Sequence, residues 1–142
     1  MSPKVLLVDD EEEFAQLLAR RLETRGMKVV AVTCGEEAVA LVEKQLFDVA
    51  VIDLSMPGID GIETLKQIKA RKPDIEVLML TGHATVAGGI ESMKQGASDF
   101  LQKPVEMTEL LEKIKTARDA RLTALHRKAD AEMQEILKRK SW

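Results

Sequence analysis

Residues 4–10 read Lys-Val-Leu-Leu-Val-Asp-Asp, a short apolar run that ends abruptly in two acids. Four consecutive aliphatic residues are typical of a strand buried on both faces, as in a parallel sheet. Similar runs recur at 29–32, 49–52 and 77–80, and a weaker one occurs at 100–101. The opening stretch therefore predicts the first of five parallel strands.

Segments with helical spacing separate these apolar runs. The inner face of the first is formed by residues three or four positions apart, namely Phe14, Leu17, Leu18, Arg21 and Leu22. Gly26 then ends the pattern, as glycine often does after a helix. Four further helices are predicted around 38–42, 62–69 and 86–95 and from Glu106 onward.

Strands that alternate with helices in this way indicate one architecture. Parallel strands need crossover connections, and right-handed helical crossovers place helices on both faces of the sheet. The predicted fold class is therefore α/β, a doubly wound (βα)5 sandwich of three layers.

The composition of the 142 residues excludes several classes of protein. Hydrophobic residues make up 45% and charged residues 32%, which is the balance of a globular domain rather than of a disordered chain. A net charge of -3 and an aromatic content of 3% argue against direct nucleic-acid binding. Cys34 has no cysteine partner, which suits a reducing cytoplasm. The first apolar run is too short for a signal peptide or a membrane span.

The fifth helical pattern continues beyond residue 120, where a compact domain of this type could end. A thin apolar stripe follows through Leu122, Leu125, Ala129, Met133 and Ile136. Residues 121–142 carry six Lys or Arg against three Asp or Glu, so this extension has a net charge of +3. One interpretation is a solvated helical tail or linker. The other is a helix that docks on a second copy or on a partner, although the stripe is thin for a coiled coil.

Polar side chains follow four of the predicted strands. Asp9 and Asp10 end the first strand, Asp53 ends the third, Thr81 ends the fourth and Lys103 follows the fifth. In an open parallel sheet, ligands bind beyond the carboxyl ends of the strands. The pattern therefore predicts three carboxylates, one hydroxyl and one ammonium at a single edge of the sheet.

The mutual repulsion of three neighbouring carboxylates must be offset. Two carboxylates ~4 Å apart repel each other by roughly 4 kcal/mol at an effective dielectric of 20. The group must take up a proton, shift a pKa or hold a cation. All the donors are oxygen atoms, which favours Mg²⁺ or Mn²⁺ over zinc. A nearby lysine adds positive charge for phosphoryl oxygens, so the set indicates a site where an acid meets phosphate across a metal.

Most of the residues at this edge also have an ordinary structural explanation, although Asp9 has none. Glu11, Glu12 and Glu13 suit the first turn of a helix, where acids complement the helix dipole. Asp53 alone could be a helix cap or a loop residue, Thr81 a turn hydroxyl, and Lys103 a surface charge. Their shared position at one edge of the sheet is what favours a functional site.

The polar residues lie within four longer motifs. These are Val5-Leu6-Leu7-Val8-Asp9-Asp10, Asp53-Leu54-Ser55-Met56-Pro57-Gly58-Ile59-Asp60-Gly61, Thr81-Gly82-His83-Ala84 and Phe100-Leu101-Gln102-Lys103-Pro104. In order and spacing the chain resembles the receiver domain of two-component response regulators, the fold shared with the chemotaxis response regulator. The resemblance covers 3–120 and is strongest to receivers of nitrogen-regulator-type activators. It leaves 121–142 as a helical C-terminal extension.

The resemblance implies a flavodoxin-like sheet of order 2-1-3-4-5 and a phosphoacceptor role for Asp53. It implies that Asp10, Asp53 and the Ser55 backbone carbonyl bind Mg²⁺ (or Mn²⁺) directly and that Asp9 does so through water. The phosphoryl donor would be a sensor histidine kinase or a phosphotransfer protein. The output would be an unknown downstream protein, and a homodimer is also expected.

The resemblance also implies a switch. Lys103 would pair with the phosphoryl group, Thr81 would donate a hydrogen bond to it, and Phe100 would turn inward. The Lys103–Pro104 peptide bond would be cis. Such a protein is a signalling module rather than an enzyme, although it takes part in its own phosphotransfer and in slow autodephosphorylation.

Four functions remain open at this point. The first is a stand-alone receiver that changes partners when phosphorylated. The second is a receiver fragment of a larger DNA-binding transcription activator, with 121–142 as its linker. The third is a metal-dependent phosphatase with an aspartyl phosphate, which Ser55 disfavours because such enzymes usually carry a second acid at that position. The fourth is a degenerate receiver that never accepts phosphate, which the complete set of site residues disfavours.

Overall fold

The computed structural model describes residues 2–56, 58–82 and 86–140, with the backbone alone for Val86. The motif residues Pro57, His83 and Ala84 lie outside this described part, as do 141–142 at the end of the extension.

Five strands and five helices alternate along the chain. The strands are β1 (Lys4–Val8), β2 (Lys28–Val32), β3 (Val49–Asp53), β4 (Glu76–Thr81) and β5 (Asp99–Gln102). The helices are α1 (Glu12–Glu23), α2 (Gly35–Lys44), α3 (Gly61–Arg71), α4 (Val86–Lys94) and α5 (Met107–Lys140). All the strand pairs are parallel and the sheet order is β2-β1-β3-β4-β5. The predicted fold class and strand order are confirmed.

The two faces of the sheet carry separate hydrophobic layers because successive side chains of a strand point to opposite sides. One layer joins the sheet to α2 and α3 through Leu6, Val8, Ala50, Ile52, Ala38, Val42, Leu65 and Ile68. The other joins it to α1 and α5 through Val5, Leu7, Val49, Val51, Leu18, Leu22, Leu110 and Ile114. Burial on both sides explains why β1, β3 and β4 are almost wholly apolar.

The edge strands are less buried than their apolar sequences suggest. In β2, Lys28 and Ala31 are exposed and Val29 and Val30 are only half-buried. An edge strand has one neighbour, and the adjoining helices cover it incompletely. Likewise Leu17 of α1 is 52% exposed although it belongs to the predicted inner face, because Ala15 and Ala19 take the positions against the sheet.

Helix α5 runs without interruption from the domain into the extension. Its buried residues are Leu110, Ile114 and Ala117, and none of those from residue 118 to 140 is buried. Arg121 marks the last firm attachment, since Nη1 lies 2.9 Å from Asp48 Oδ1 and Nε lies 3.0 Å from Asp74 Oδ2. Every residue from 126 to 140 is exposed, so this part of the helix projects from the domain. Among the described residues, no helix combines the length and the apolar character needed to cross a bilayer.

Candidate functional site

The parallel register of the sheet brings the ends of four strands to one edge. Val8 of β1 lies opposite Ile52 of β3, so the residues that follow them, Asp9 and Asp53, are neighbours. The backbone N–H of Lys103 donates to the carbonyl of Thr81 at 2.7 Å, which joins the end of β5 to the end of β4. The structure therefore brings the polar residues at these strand ends together.

Three carboxylates form the centre of this edge. Asp9, Asp10 and Asp53 each offer an oxygen atom, and these atoms lie within 4.8 Å of one another. Asp9 is fully buried, Asp53 is 5% exposed and Asp10 is exposed. The backbone N–H of Glu11 donates to Asp9 Oδ1 at 2.9 Å, and that of Ser55 donates to Asp53 Oδ1 at 3.3 Å. The site is thus a partly closed acidic hollow that opens at Asp10.

Asp53 is electrostatically strained in this hollow. Burial raises the pKa of its carboxyl, the negative charge of Asp9 raises it further, and the positive charge of Lys103 only partly opposes them, so the pKa reaches about 7. Without further positive charge, a large fraction of Asp53 therefore carries a proton near neutral pH.

Lys103 supplies the one ammonium within reach of the described acids of this hollow. Its Nζ lies 2.9 Å from Asp9 Oδ2 and 2.9 Å from Glu11 Oε1, and 4.3 Å from the centre of the Phe14 ring. Partial burial by itself would lower the pKa of Lys103, but the hydrogen bonds to Asp9 and Glu11 outweigh this effect and raise the pKa. Lys103 is therefore a firmly charged group.

Glu11 and Phe14 are site residues that the sequence interpretation did not identify. Glu12 and Glu13 stand in the first turn of α1, as the helix-dipole explanation expects. Glu11 occupies the cap position but makes no side-chain capping bond, and its carboxylate pairs with Lys103 instead. No local pattern could have revealed this contact, because 92 residues separate the two partners.

The donor set fits a hard divalent cation. Three carboxylates face one ammonium, and every side-chain atom that could bind a metal here is an oxygen. Mg²⁺ prefers one or two carboxylates and fills its remaining positions with carbonyl, water or phosphate oxygens. The acidic hollow therefore suits Mg²⁺ or Mn²⁺ better than zinc.

The remaining predicted residues lie on β4, on β5 and directly after β5. Thr81 is 2% exposed at the end of β4. Phe100 of β5 is half-buried and borders a shallow groove beside Ile90 and Met93 of α4. The Lys103–Pro104 peptide bond is cis.

Comparison with known protein families agrees with this geometry. A family model described as the response regulator receiver domain matches residues 5–115. The chain belongs to the response regulator receiver domain family. Receiver domains are the signalling modules of two-component systems, and in this receiver the matched region ends within α5.

Relatives and solved structures show the same kinship. The receiver is 35% identical over 133 residues to the transcriptional regulatory protein TctD of Salmonella typhimurium, which covers 94% of this chain and 56% of TctD. It therefore spans about half the length of that relative. The beryllofluoride-activated NtrC4 receiver domain dimer has a TM-score of 0.79 at 35% identity, covering 83% of this chain and 98% of that one.

A third similarity includes the helical extension. A response regulator protein from Burkholderia pseudomallei, solved with a phosphorylated aspartic acid, a calcium ion and citrate, is 27% identical with a TM-score of 0.77. The match covers 98% of this receiver and 86% of that chain.

Proposed function

We propose that this receiver takes a phosphoryl group onto Asp53 and changes its binding partners as a result. The observation that carries the proposal is the meeting of Asp9, Asp10 and Asp53 within 4.8 Å, beside Lys103. The proposed domain comprises residues 3–120, and 121–142 is its helical extension.

The proposed reaction is a phosphoryl transfer from a phosphohistidine. A carboxylate oxygen of Asp53 forms the new P–O bond while the P–N bond breaks, and the departing imidazole takes a proton from solvent. Lys103 stabilises the negative charge on the phosphoryl oxygens, and the Thr81 hydroxyl donates a hydrogen bond to one of them. The donor is a sensor histidine kinase or a phosphotransfer protein, and the acyl phosphate later hydrolyses slowly.

The raised pKa of Asp53 gives the metal its role in this proposal. A protonated carboxyl is a poor nucleophile, and Asp53 has a pKa of about 7 in the metal-free site. Bound Mg²⁺ (or Mn²⁺) would supply the charge that keeps Asp53 ionised and offsets charge on the transferred phosphoryl group. Asp10, Asp53 and the Ser55 backbone carbonyl would hold it, with Asp9 acting through water.

Phosphorylation of the unmodified chain tests this function. Incubation with acetyl phosphate and Mg²⁺ should add the mass of one phosphoryl group, and chelation by EDTA should reduce the initial rate by about 100-fold or more because the acids then lack their counter-charge. Intact-protein mass spectrometry measures both. Equal labelling with and without EDTA would contradict the metal assignment, and no labelling in Mg²⁺ would contradict the function.

We further propose that the switch acts on the surface of α4, β5 and α5 and promotes a homodimer. Movement of Thr81 toward the phosphoryl group leaves space that Phe100 fills from the groove beside Ile90 and Met93. Ile90 and Met93 are 52% and 49% exposed, which leaves apolar surface for a second copy. The similar NtrC4 structure is a dimer of beryllofluoride-activated receivers.

Sedimentation velocity with and without beryllofluoride, a mimic of the acyl phosphate, tests this switch. The parent chain should move toward the dimer when the mimic is added, and Thr81→Ala should respond little because it lacks the hydroxyl. A variant truncated after Leu122 keeps the ion pairs of Arg121 with Asp48 and Asp74, so it should stay folded by circular dichroism. Its sedimentation shows whether the rest of the extension contributes to the dimer. Identical sedimentation of the parent in both conditions would contradict the proposed switch.

A second candidate function is control of transcription by an attached output domain. It is supported by the name of TctD, a transcriptional regulatory protein of which this chain covers 56%. A reading frame that continues past Trp142 into a DNA-binding domain would support it, and a stop codon there would favour the stand-alone receiver. The proposed location of either form is the cytoplasm, which cell fractionation would test.

A further inference from the structure

The loop between β3 and α3, which the structure describes at 54–56 and 58–60, carries Ser55. At its base, Leu54 N donates to Leu80 O at 2.8 Å and Gly61 N donates to Leu54 O at 3.0 Å. At its end, Asp60 caps α3 by accepting from Glu63 N at 2.9 Å. These bonds fix residues 54, 60 and 61, where the loop meets β3 and α3.

Glu36 of α2 contacts this loop at Gly58 and Ile59. The backbone N–H of Ile59 donates to Glu36 Oε1 at 2.9 Å. Gly58 has a φ of +76°, and a Cβ on it would lie 2.9 Å from the same Glu36 oxygen, so the carboxylate sits directly against the backbone of the loop. The hydrogen bond from Ile59 is the main reason that the pKa of Glu36 is lowered, so the ionised carboxylate is the acceptor.

The base of α2 is packed against the same loop. A Cβ on Gly35 would lie 2.6 Å from Ile59 Cγ1 and 2.1 Å from Thr64 Oγ1, so only glycine allows this approach. Farther along α2, Ala38 and Val42 are buried in the hydrophobic layer under the sheet. Glu36 therefore extends from a helix that is anchored in the hydrophobic core. Its hydrogen bond with Ile59 restrains the loop relative to that helix.

We propose that Glu36 is a positioning residue that braces the β3–α3 loop and thereby strengthens divalent-cation binding through the Ser55 carbonyl. This inference rests on the proposed function, because Ser55 is assigned there as a metal ligand. Glu36 itself does not belong to the acidic hollow, and it acts on the loop through its contacts with Gly58 and Ile59. Groups that orient ligands in this way often change metal affinity by about 10-fold or more, and an exposed brace should act at the lower end.

Three variants separate this role from a simple effect of charge. Glu36→Ala removes the acceptor, and Glu36→Gln keeps an oxygen for the Ile59 N–H without the charge. Glu37→Ala is the control, because it removes another exposed charge from the same turn of α2. Magnesium binding is measured by calorimetry on the unphosphorylated protein. The dissociation constant should rise about 5- to 10-fold in Glu36→Ala, change about twofold or less in Glu36→Gln, and stay unchanged in Glu37→Ala.

Two further measurements distinguish positioning from stability. Amide exchange at Ile59 should accelerate in Glu36→Ala alone. The Mg²⁺ concentration for half-maximal labelling by acetyl phosphate should rise in that variant while the rate at saturating Mg²⁺ stays at the parent value.

A Glu36→Ala protein that binds Mg²⁺ as tightly as the parent would overturn the brace, whatever the exchange at Ile59. If the parent itself binds no Mg²⁺, the proposed function fails, and the role of Glu36 in metal binding fails with it. If the parent binds Mg²⁺ and Glu36→Ala binds it equally tightly, the proposed function stands and the brace alone is rejected.

Discussion

Replacing Asp53 by Asn should lower phosphoryl incorporation from acetyl phosphate by about 100-fold or more, to the level of the chemical background. Asparagine keeps the size of the side chain but has no carboxylate oxygen to form an acyl phosphate. Asp53 is the natural acceptor because it ends β3 in the partly closed hollow, 5% exposed, while Lys103 contributes positive charge to it.

Mass spectrometry of the intact chain in Mg²⁺ measures this loss. Asp130→Asn, an exposed substitution on the helical extension, is the matched control and should label at the parent rate. The product of the parent should also lose its added mass in hydroxylamine, which cleaves acyl phosphates. Labelling of Asp53→Asn at the rate of the parent would show that another residue is the acceptor.

The second large effect concerns the free energy of unfolding without metal. At about pH 8, Asp53→Asn should stabilise the protein by about 1–3 kcal/mol, because it removes a buried charge that the fold otherwise tolerates at a cost. Lys103→Met should destabilise it by about 2–3 kcal/mol, because the fully buried Asp9 then loses its ion-pair partner. The two substitutions should thus change the free energy of unfolding in opposite directions.

The pH dependence follows from the raised pKa of Asp53. The folded pKa is about 7 against 3.8 for the unfolded chain, so the folded state retains a proton that the unfolded state has released. The contribution of Asp53 to the free energy of unfolding is therefore fully present below about pH 4. It is lost as the pH rises through about 7, where the folded protein gives up this proton. The increase in the free energy of unfolding caused by Asp53→Asn should therefore be larger at pH 8 than at pH 5.

Urea unfolding in EDTA at these two pH values measures both variants, and excess Mg²⁺ provides the control. Saturating Mg²⁺ should stabilise the parent more than Asp53→Asn. The free energies of unfolding of the two proteins should then differ less than they do in EDTA. Equal stability of the parent and Asp53→Asn in EDTA at pH 8 would contradict the electrostatic description of the hollow. A Lys103→Met variant as stable as the parent would show that Asp9 does not depend on that ion pair.

The fold could be predicted from local patterns because each pattern has a local physical cause. Strands buried on both faces must be apolar throughout, which made β1, β3 and β4 visible in the sequence. The acids and the lysine at the strand ends could be grouped because parallel strands share one carboxyl edge. Roles for the individual residues came from the family resemblance and remain predictions.

Other features depend on residues that are distant in the chain. The contact of Glu11 with Lys103 spans 92 residues, and the contact of Glu36 with Ile59 spans 23. In sequence, Glu11 is one of three adjacent acids that all suit a helix start, and Glu36 looks the same as Glu37. The exposure of β2 and Leu17 likewise depended on how completely the helices cover the sheet.

The order of apolar and polar residues by itself determined a parallel α/β sheet with three acids and an amine at one edge, because hydrophobic burial and strand direction act on every residue in turn. The tertiary structure alone decided which carboxylate faces which donor. Such pairings depend on distances of about 3 Å between segments that only the folded chain brings together. The pKa of Asp53, the partners of Lys103 and the tie from α2 to the β3–α3 loop all belong to this second group.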